Sequence, residues 1–182
     1  MNAARLESLF NRCFARSCHT VLRGGADEPV YTPAADGVPA RIAYREDFVS
    51  SALHEVAHWC IAGKARLQQV DYGYWYAPDG RSPEEQLAFE RAEARPQALE
   101  WLFAQSCGVA FSLSFDNLSG ETDPAGRRRL ACAVAREAEA LRCGSLPPRA
   151  RHFYRILREE SRGGVPLKGM CFNSPVAISG AH

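Results

Sequence analysis

His54-Glu55-Val56-Ala57-His58 is the stretch of this chain whose residue types and spacing could do chemistry. On an α-helix, residues four apart share one face with their Cβ atoms about 6 Å apart. Two imidazoles so placed can hold one metal ion between them. A metal would supply an activated water or activated dioxygen, which side chains alone do not. The pentapeptide does not choose between the two. With this composition it would arise by chance in roughly one such sequence in a hundred, so a third ligand must support it.

An acidic side chain on the next long helix can close a His-His-carboxylate face. Glu90, Glu93 and Glu100 are the candidates, Glu84 and Glu85 lying too near the helix start. Glu93 is favoured because Gln97 follows one turn later and can support a ligand from behind. Leu99, Leu102 and Phe103 supply the core stripe that would orient this helix. Glu90 lies about one turn before Glu93 and is its main competitor. Such a face leaves coordination positions open. Zinc would take a water there and use Glu55 as general base for hydrolysis. Ferrous iron would offer its open positions to dioxygen and substrate. The ligand set is compatible with both.

Asp71-Tyr72-Gly73-Tyr74-Trp75-Tyr76 is the second feature. As a strand it puts Tyr72, Tyr74 and Tyr76 on one face and Asp71, Gly73 and Trp75 on the other. The bland reading is an aromatic core strand. The functional one is an aromatic wall beside the metal which, with Asp71, suits a cationic substrate. Asp116-Asn117 is a polar candidate for the cleft rim.

These residues need elements to hold them. Leu6, Leu9, Phe10, Cys13 and Phe14 repeat at helical spacing and predict an amphipathic helix over 3–16. Short strands are expected at 20–23, near Val30-Tyr31 and at 41–44. The motif helix should start at Asp47, a good N-cap, and stop at Gly63, a good C-cap. Val49, Ala52, Leu53, Val56 and Cys60 form its apolar stripe, with the histidines to one side. A long strand over 70–76 should end at the Pro78-Asp79-Gly80 turn. Ser82-Pro83-Glu84-Glu85 opens a helix to about Ala104, which kinks or divides at Pro96. Residues 109–115 read as strand or loop. Helices follow over about 124–142 and 148–160, then an irregular tail from about 162. The fold class is α+β, helix-dominant with a small mixed sheet, in one domain spanning 1–182.

Composition narrows the function classes. The 182 residues carry a net charge of +1, which argues against a surface built for nucleic acid. No run approaches the ~20 apolar residues of a membrane span, and residues 1–17 lack a signal-peptide apolar core. A cytoplasmic protein without a membrane partner is expected. Seven cysteines, odd in number and without C-x-x-C spacing, read as small buried hydrophobes.

Longer motifs surround the pentapeptide: 54–66 (HEVAHWCIAGKAR), 69–76 (QVDYGYWY), Pro78-Asp-Gly-Arg81, Pro96-Gln-Ala-Leu-Glu-Trp101 and Asp116-Asn117-Leu118. Together they strongly resemble the elongation factor P hydroxylase family over about residues 8–160. The resemblance implies an intracellular bacterial enzyme that hydroxylates a lysine of elongation factor P after β-lysylation. It implies a fold similar to a metal-dependent endoribonuclease of rRNA maturation and a site resembling a 2-His-1-carboxylate motif. Carried over, His54 and His58 are the histidine ligands, and the carboxylate is a Glu of the following helix, where Glu93 is placed. Fe(II) with dioxygen as cosubstrate is then expected, zinc being able to occupy the site in vitro. Glu55 becomes a proton carrier or a contact to the substrate amine. A zinc-dependent peptidase or ribonuclease using Glu55 as base is the alternative. A metal-stabilised binding module for a translation factor is the non-enzymatic one.

Overall fold

The computed structural model describes residues 1–71, 81–115, 124–161, 165–170 and 172. The chain opens with α1 (Ala3–Phe14), capped by the Asn2 side chain, which accepts from the Arg5 N–H at 2.9 Å. Leu6, Leu9, Phe10 and Phe14 are its buried face, as the helical period requires. Three strands follow: β1 (Thr20–Ala26), β2 (Val30–Thr32) and β3 (Ala40–Arg45). They form one mixed sheet in the order β1-β3-β2, β3 running parallel to β1 and antiparallel to β2. Ile42 and Tyr44 of the central strand are buried.

Helix α2 (Val49–Ile61) carries the histidine pair and lies between β3 and α3 (Pro83–Cys107). Helices α4 (Pro124–Cys143) and α5 (Pro148–Glu160) pack on α3. Buried apolar residues from α1 through α5 form one cluster, with Phe10, Leu53, Leu99, Phe103 and Phe153 in its middle. Truncating an aromatic of this kind costs about 3–5 kcal/mol. The histidine helix is therefore held on a rigid floor. Among the described residues, no helix is long and apolar enough to cross a membrane.

The Ser82 side chain and Glu85 form the reciprocal cap expected at the start of α3. Pro96 neither ends nor divides this helix, which runs 25 residues to a left-handed Gly108. Leu99, Leu102 and Phe103 pack so firmly around it that one missing backbone N–H is tolerated. Residues 109–115 are irregular, not strand.

Helix α2 departs from expectation at both ends. Its N-cap is Phe48, not Asp47, and no side chain caps it. At the other end it stops at Ile61, short of Gly63. The reason is Arg149 of α5, whose guanidinium donates to the carbonyls of Cys60 and Ala62 and sits 4.6 Å from the Trp59 ring centroid. A remote cation does the work assigned to a glycine.

One further expectation, on the cysteines, needs correction. Cys18, Cys132 and Cys143 are exposed and Cys13 half-buried, so among the described residues only Cys60 and Cys107 behave as core hydrophobes. Hydrophobic spacing on the other helix faces filled the core without them. The tail beyond 162 is docked where it is described. Leu167 N–H donates to the Tyr154 hydroxyl at 2.6 Å, and the buried Phe172 meets Trp101 edge-on at 4.6 Å. The 70–76 strand falls mostly outside the described residues. Val70 is exposed and outside any strand, and Asp71 is bridged antiparallel to Tyr31.

Candidate metal centre

Helix α2 turns its apolar stripe into the core and sets His54 and His58 on its flank, both half-buried against α3. Their Nε2 atoms lie 3.0 Å apart. From α3, Glu93 brings one carboxylate oxygen to 3.3 Å from His58 Nε2 and the other to 3.5 Å from His54 Nε2. Among the described residues these three form a group able to hold a metal ion, their ligand atoms all within 4.8 Å of one another. Donors bound to one ion at about 2.1 Å lie about 3.0–3.4 Å apart for bond angles of 90–109°. The triangle has the size of one face around a single cation.

Glu93 is held from behind as its spacing suggests. Gln97 Nε2 lies 3.5 Å from Glu93 and donates to the Ser114 carbonyl at 2.9 Å, while Ser114 N–H donates to Gln97 Oε1 at 3.1 Å. The irregular 109–115 segment thus returns to grip the amide. Gln97 is fully buried, so its orientation is fixed.

The other two acidic candidates go elsewhere. Glu90 receives two hydrogen bonds from Arg129 of α4, at 3.2 and 3.0 Å, and takes no part in the His face. Glu100 accepts from His54 Nδ1 at 2.9 Å. That bond places the proton on Nδ1 and leaves Nε2 free to ligate, the arrangement common behind metal-bound histidines. Sequence reasoning offered Glu100 as a ligand and missed this role. The signal was present: Glu93, Gln97 and Glu100 stand at i, i+4 and i+7, one helix face.

Charge follows the geometry. Burial disfavours the His54 imidazolium, but the Glu100 hydrogen bond and the carboxylates of Glu93, Glu100 and Glu55 outweigh it and raise its pKa to about 10. Burial would raise Glu93, yet the His58 contact, His54 and the Gln97 amide bring it down to about 2. Glu55 and Glu100 are pushed up by burial. Three acids and two histidines in so small a volume make a site that favours a cation.

Beside His58 a small pocket opens toward solvent, with Glu55 and Asp71 on its wall. Asp71 is thus brought to the site, paired with Arg66. Tyr31 and Arg66, which line the same pocket, were not singled out from the sequence. Tyr72, Tyr74, Tyr76 and Asp116-Asn117 lie outside the described residues.

An α+β fold with a half-buried His-His-Glu face between two helices defines a candidate metal-dependent enzyme. Comparison with known proteins names the family. The family model described as Elongation factor P hydroxylase matches residues 9–164. The chain is 46% identical over 144 residues to the elongation factor P lysine hydroxylase of Haemophilus influenzae, covering 79% of this chain and 80% of that relative. The chain belongs to the elongation factor P hydroxylase family.

Proposed function

We propose that this chain is a metal-dependent hydroxylase of a lysine side chain of elongation factor P, in its β-lysylated form, working in the cytoplasm with Fe(II) and dioxygen. The observation that carries the reading is the His54-His58-Glu93 triangle in a chain of this family. Iron held by these three side chains would supply dioxygen activation, while leaving positions for substrate. His54 and His58 present Nε2, Glu93 presents a carboxylate held ionised, and Glu100 keeps the His54 proton on Nδ1. Glu55 lines the pocket beside His58 without ligating, and there carries a proton or meets the substrate amine. Asp71 supports substrate binding, and the Tyr72-Tyr74-Tyr76 run is the proposed aromatic wall.

Incubation of the protein with β-lysylated elongation factor P, iron, reductant and dioxygen, followed by intact mass measurement, tests this. A gain of one oxygen atom on the target is expected. No gain, together with cleavage of peptide or RNA when zinc replaces iron, would instead make Glu55 the base of a zinc hydrolase.

A further inference from the structure

A second cavity, of about 200 Å³, shares Tyr31, Trp59 and Leu67 with the pocket beside His58 but includes none of the residues of the metal centre. Liquid water takes about 30 Å³ per molecule, so this cavity has room for several, or for a small solute in their place. Arg149 of α5, His19 and Gln68 contribute to its polar lining. Among the described residues, no aspartate or glutamate lines it. We infer that this cavity binds an oxyanion, a carboxylate or a phosphate, held by Arg149 with His19 and Gln68 beside it.

Three observations carry the site. First, Arg149 has donors to spare. Its Nη2 donates to the carbonyls of Cys60 and Ala62, and its guanidinium lies 4.6 Å from the Trp59 ring centroid. Among the described residues its Nε and Nη1 donate to nothing and no carboxylate pairs with it. A guanidinium has no acceptor, so only an acceptor can use those N–H groups. Second, the wall keeps a positive charge. The carbonyl end of α2 carries about half a negative charge, against the whole positive charge of the guanidinium. Third, the polar groups of the lining divide in two. The hydroxyls of Tyr31 and Thr20 are committed to the carbonyls of Leu67 and Cys18, at 3.1 and 3.0 Å. The side chains of His19 and Gln68 make no hydrogen bond among the described residues, and both are exposed. His19 takes a left-handed φ of 48°, and its carbonyl accepts from Ala40 N–H at 2.8 Å. That bond ties to β3 the turn from which the imidazole reaches the cavity. One cation, one amide and one imidazole thus meet around a space without a carboxylate, which is the lining an oxyanion needs.

Calorimetry of the zinc-loaded protein with inorganic phosphate, in chloride of matched ionic strength, tests the site. Ala34 and Gln68 are exposed residues of the lining, so A34E and Q68E each place a carboxylate in the cavity and leave Arg149 on its helix end. Each should weaken phosphate about tenfold or more, the range of one hydrogen bond to a charged group. A140E adds the same charge to an exposed position of α4 outside this lining and should bind phosphate as the wild type does. Circular dichroism and zinc content establish that each variant is folded and loaded. If A34E and Q68E bind phosphate as tightly as A140E, the anion sits elsewhere, the metal face included, and the inference is wrong. A wild type that binds no phosphate also overturns it. A second titration, with β-lysylated elongation factor P, separates the sources of the oxyanion. If saturating phosphate and Q68E each weaken that complex about tenfold, the site takes a carboxylate of the protein substrate. If the complex is unmoved while phosphate follows the variants, the site takes a free small anion. The phosphate titration does not depend on turnover, so a protein that oxidises no lysine fails the hydroxylase reading and leaves this site standing.

Discussion

Glu100 makes a sharp demand on metal affinity, because it touches His54 on the side away from the proposed metal position. Its carboxylate accepts from Nδ1 at 2.9 Å and is 5% exposed, so water cannot replace it. Hydrogen bonds to charged groups contribute roughly 1.5–3 kcal/mol. Loss of such a partner behind a metal-bound histidine typically weakens metal binding about 10–100-fold, or about 1.4–2.7 kcal/mol. The two ranges overlap and bound the effect. Glu100→Gln keeps the volume and one acceptor oxygen but loses the charge, so a drop of about tenfold is expected. Glu100→Leu also strands a buried N–H, and the drop should approach about a hundredfold. Competition against a chromogenic zinc chelator measures both, with far-ultraviolet circular dichroism to establish folding. Glu90→Gln is the control, since Glu90 is equally buried on the same helix yet pairs with Arg129. It should leave zinc affinity unchanged. If Glu100→Gln and Glu90→Gln bind zinc with the same affinity, Glu100 does not orient His54.

Glu55→Gln should retain the metal, measured by elemental analysis, and lose turnover about 100-fold or more if Glu55 carries a proton; loss of metal instead would make it a structural part of the centre. In the metal-free protein Glu93 and His54 set stability slopes of opposite sign at the acid and alkaline ends of the pH range. Glu93, depressed to about 2, contributes stability above its unfolded value of 4.5 that is lost as pH falls toward 2. His54, raised to about 10, contributes stability below its unfolded value of 6.5 that is lost as pH rises toward 10. Thermal melts across this range check both slopes, and a metal-free protein that gains stability from pH 6.5 to 9 would contradict the second. Arg149→Met should lower stability by about 1–3 kcal/mol in a urea melt, because it uncaps α2 and strips the Trp59 contact. Metal affinity in the folded fraction should change little; a large change would mean that the α2 terminus helps to set the histidine geometry.

Helical arithmetic made the heart of the site legible. His54 and His58 at i and i+4, and Glu93 with Gln97 at the same spacing, occupy the positions their periods imply. So do the Ser82 cap and the Leu99-Leu102-Phe103 stripe. What could not be read depends on how elements meet. Glu90, Glu93 and Glu100 are chemically alike; only the docking of α2 and α4 on α3 assigns one to Arg129, one to the histidine face and one to His54 Nδ1. Arg149 capping α2 spans 87 residues to Ala62, and no local pattern announces it. Tyr31 was visible as a strand residue, but its bridge to Asp71, which shapes the pocket, joins segments 40 residues apart. Local signals name the chemistry, and long-range packing decides which of several equivalent side chains performs it.

The most direct measurement is the origin of the added oxygen. Iron-loaded protein, reductant and β-lysylated elongation factor P are incubated under isotopically labelled dioxygen in ordinary water. The target is then digested and its modified lysine weighed. One labelled oxygen atom on that lysine, absent when Glu93→Ala replaces the wild type, is the expected result. An unmodified lysine, or an oxygen drawn from water, would contradict the assignment of His54, His58 and Glu93 as the iron centre of a hydroxylase.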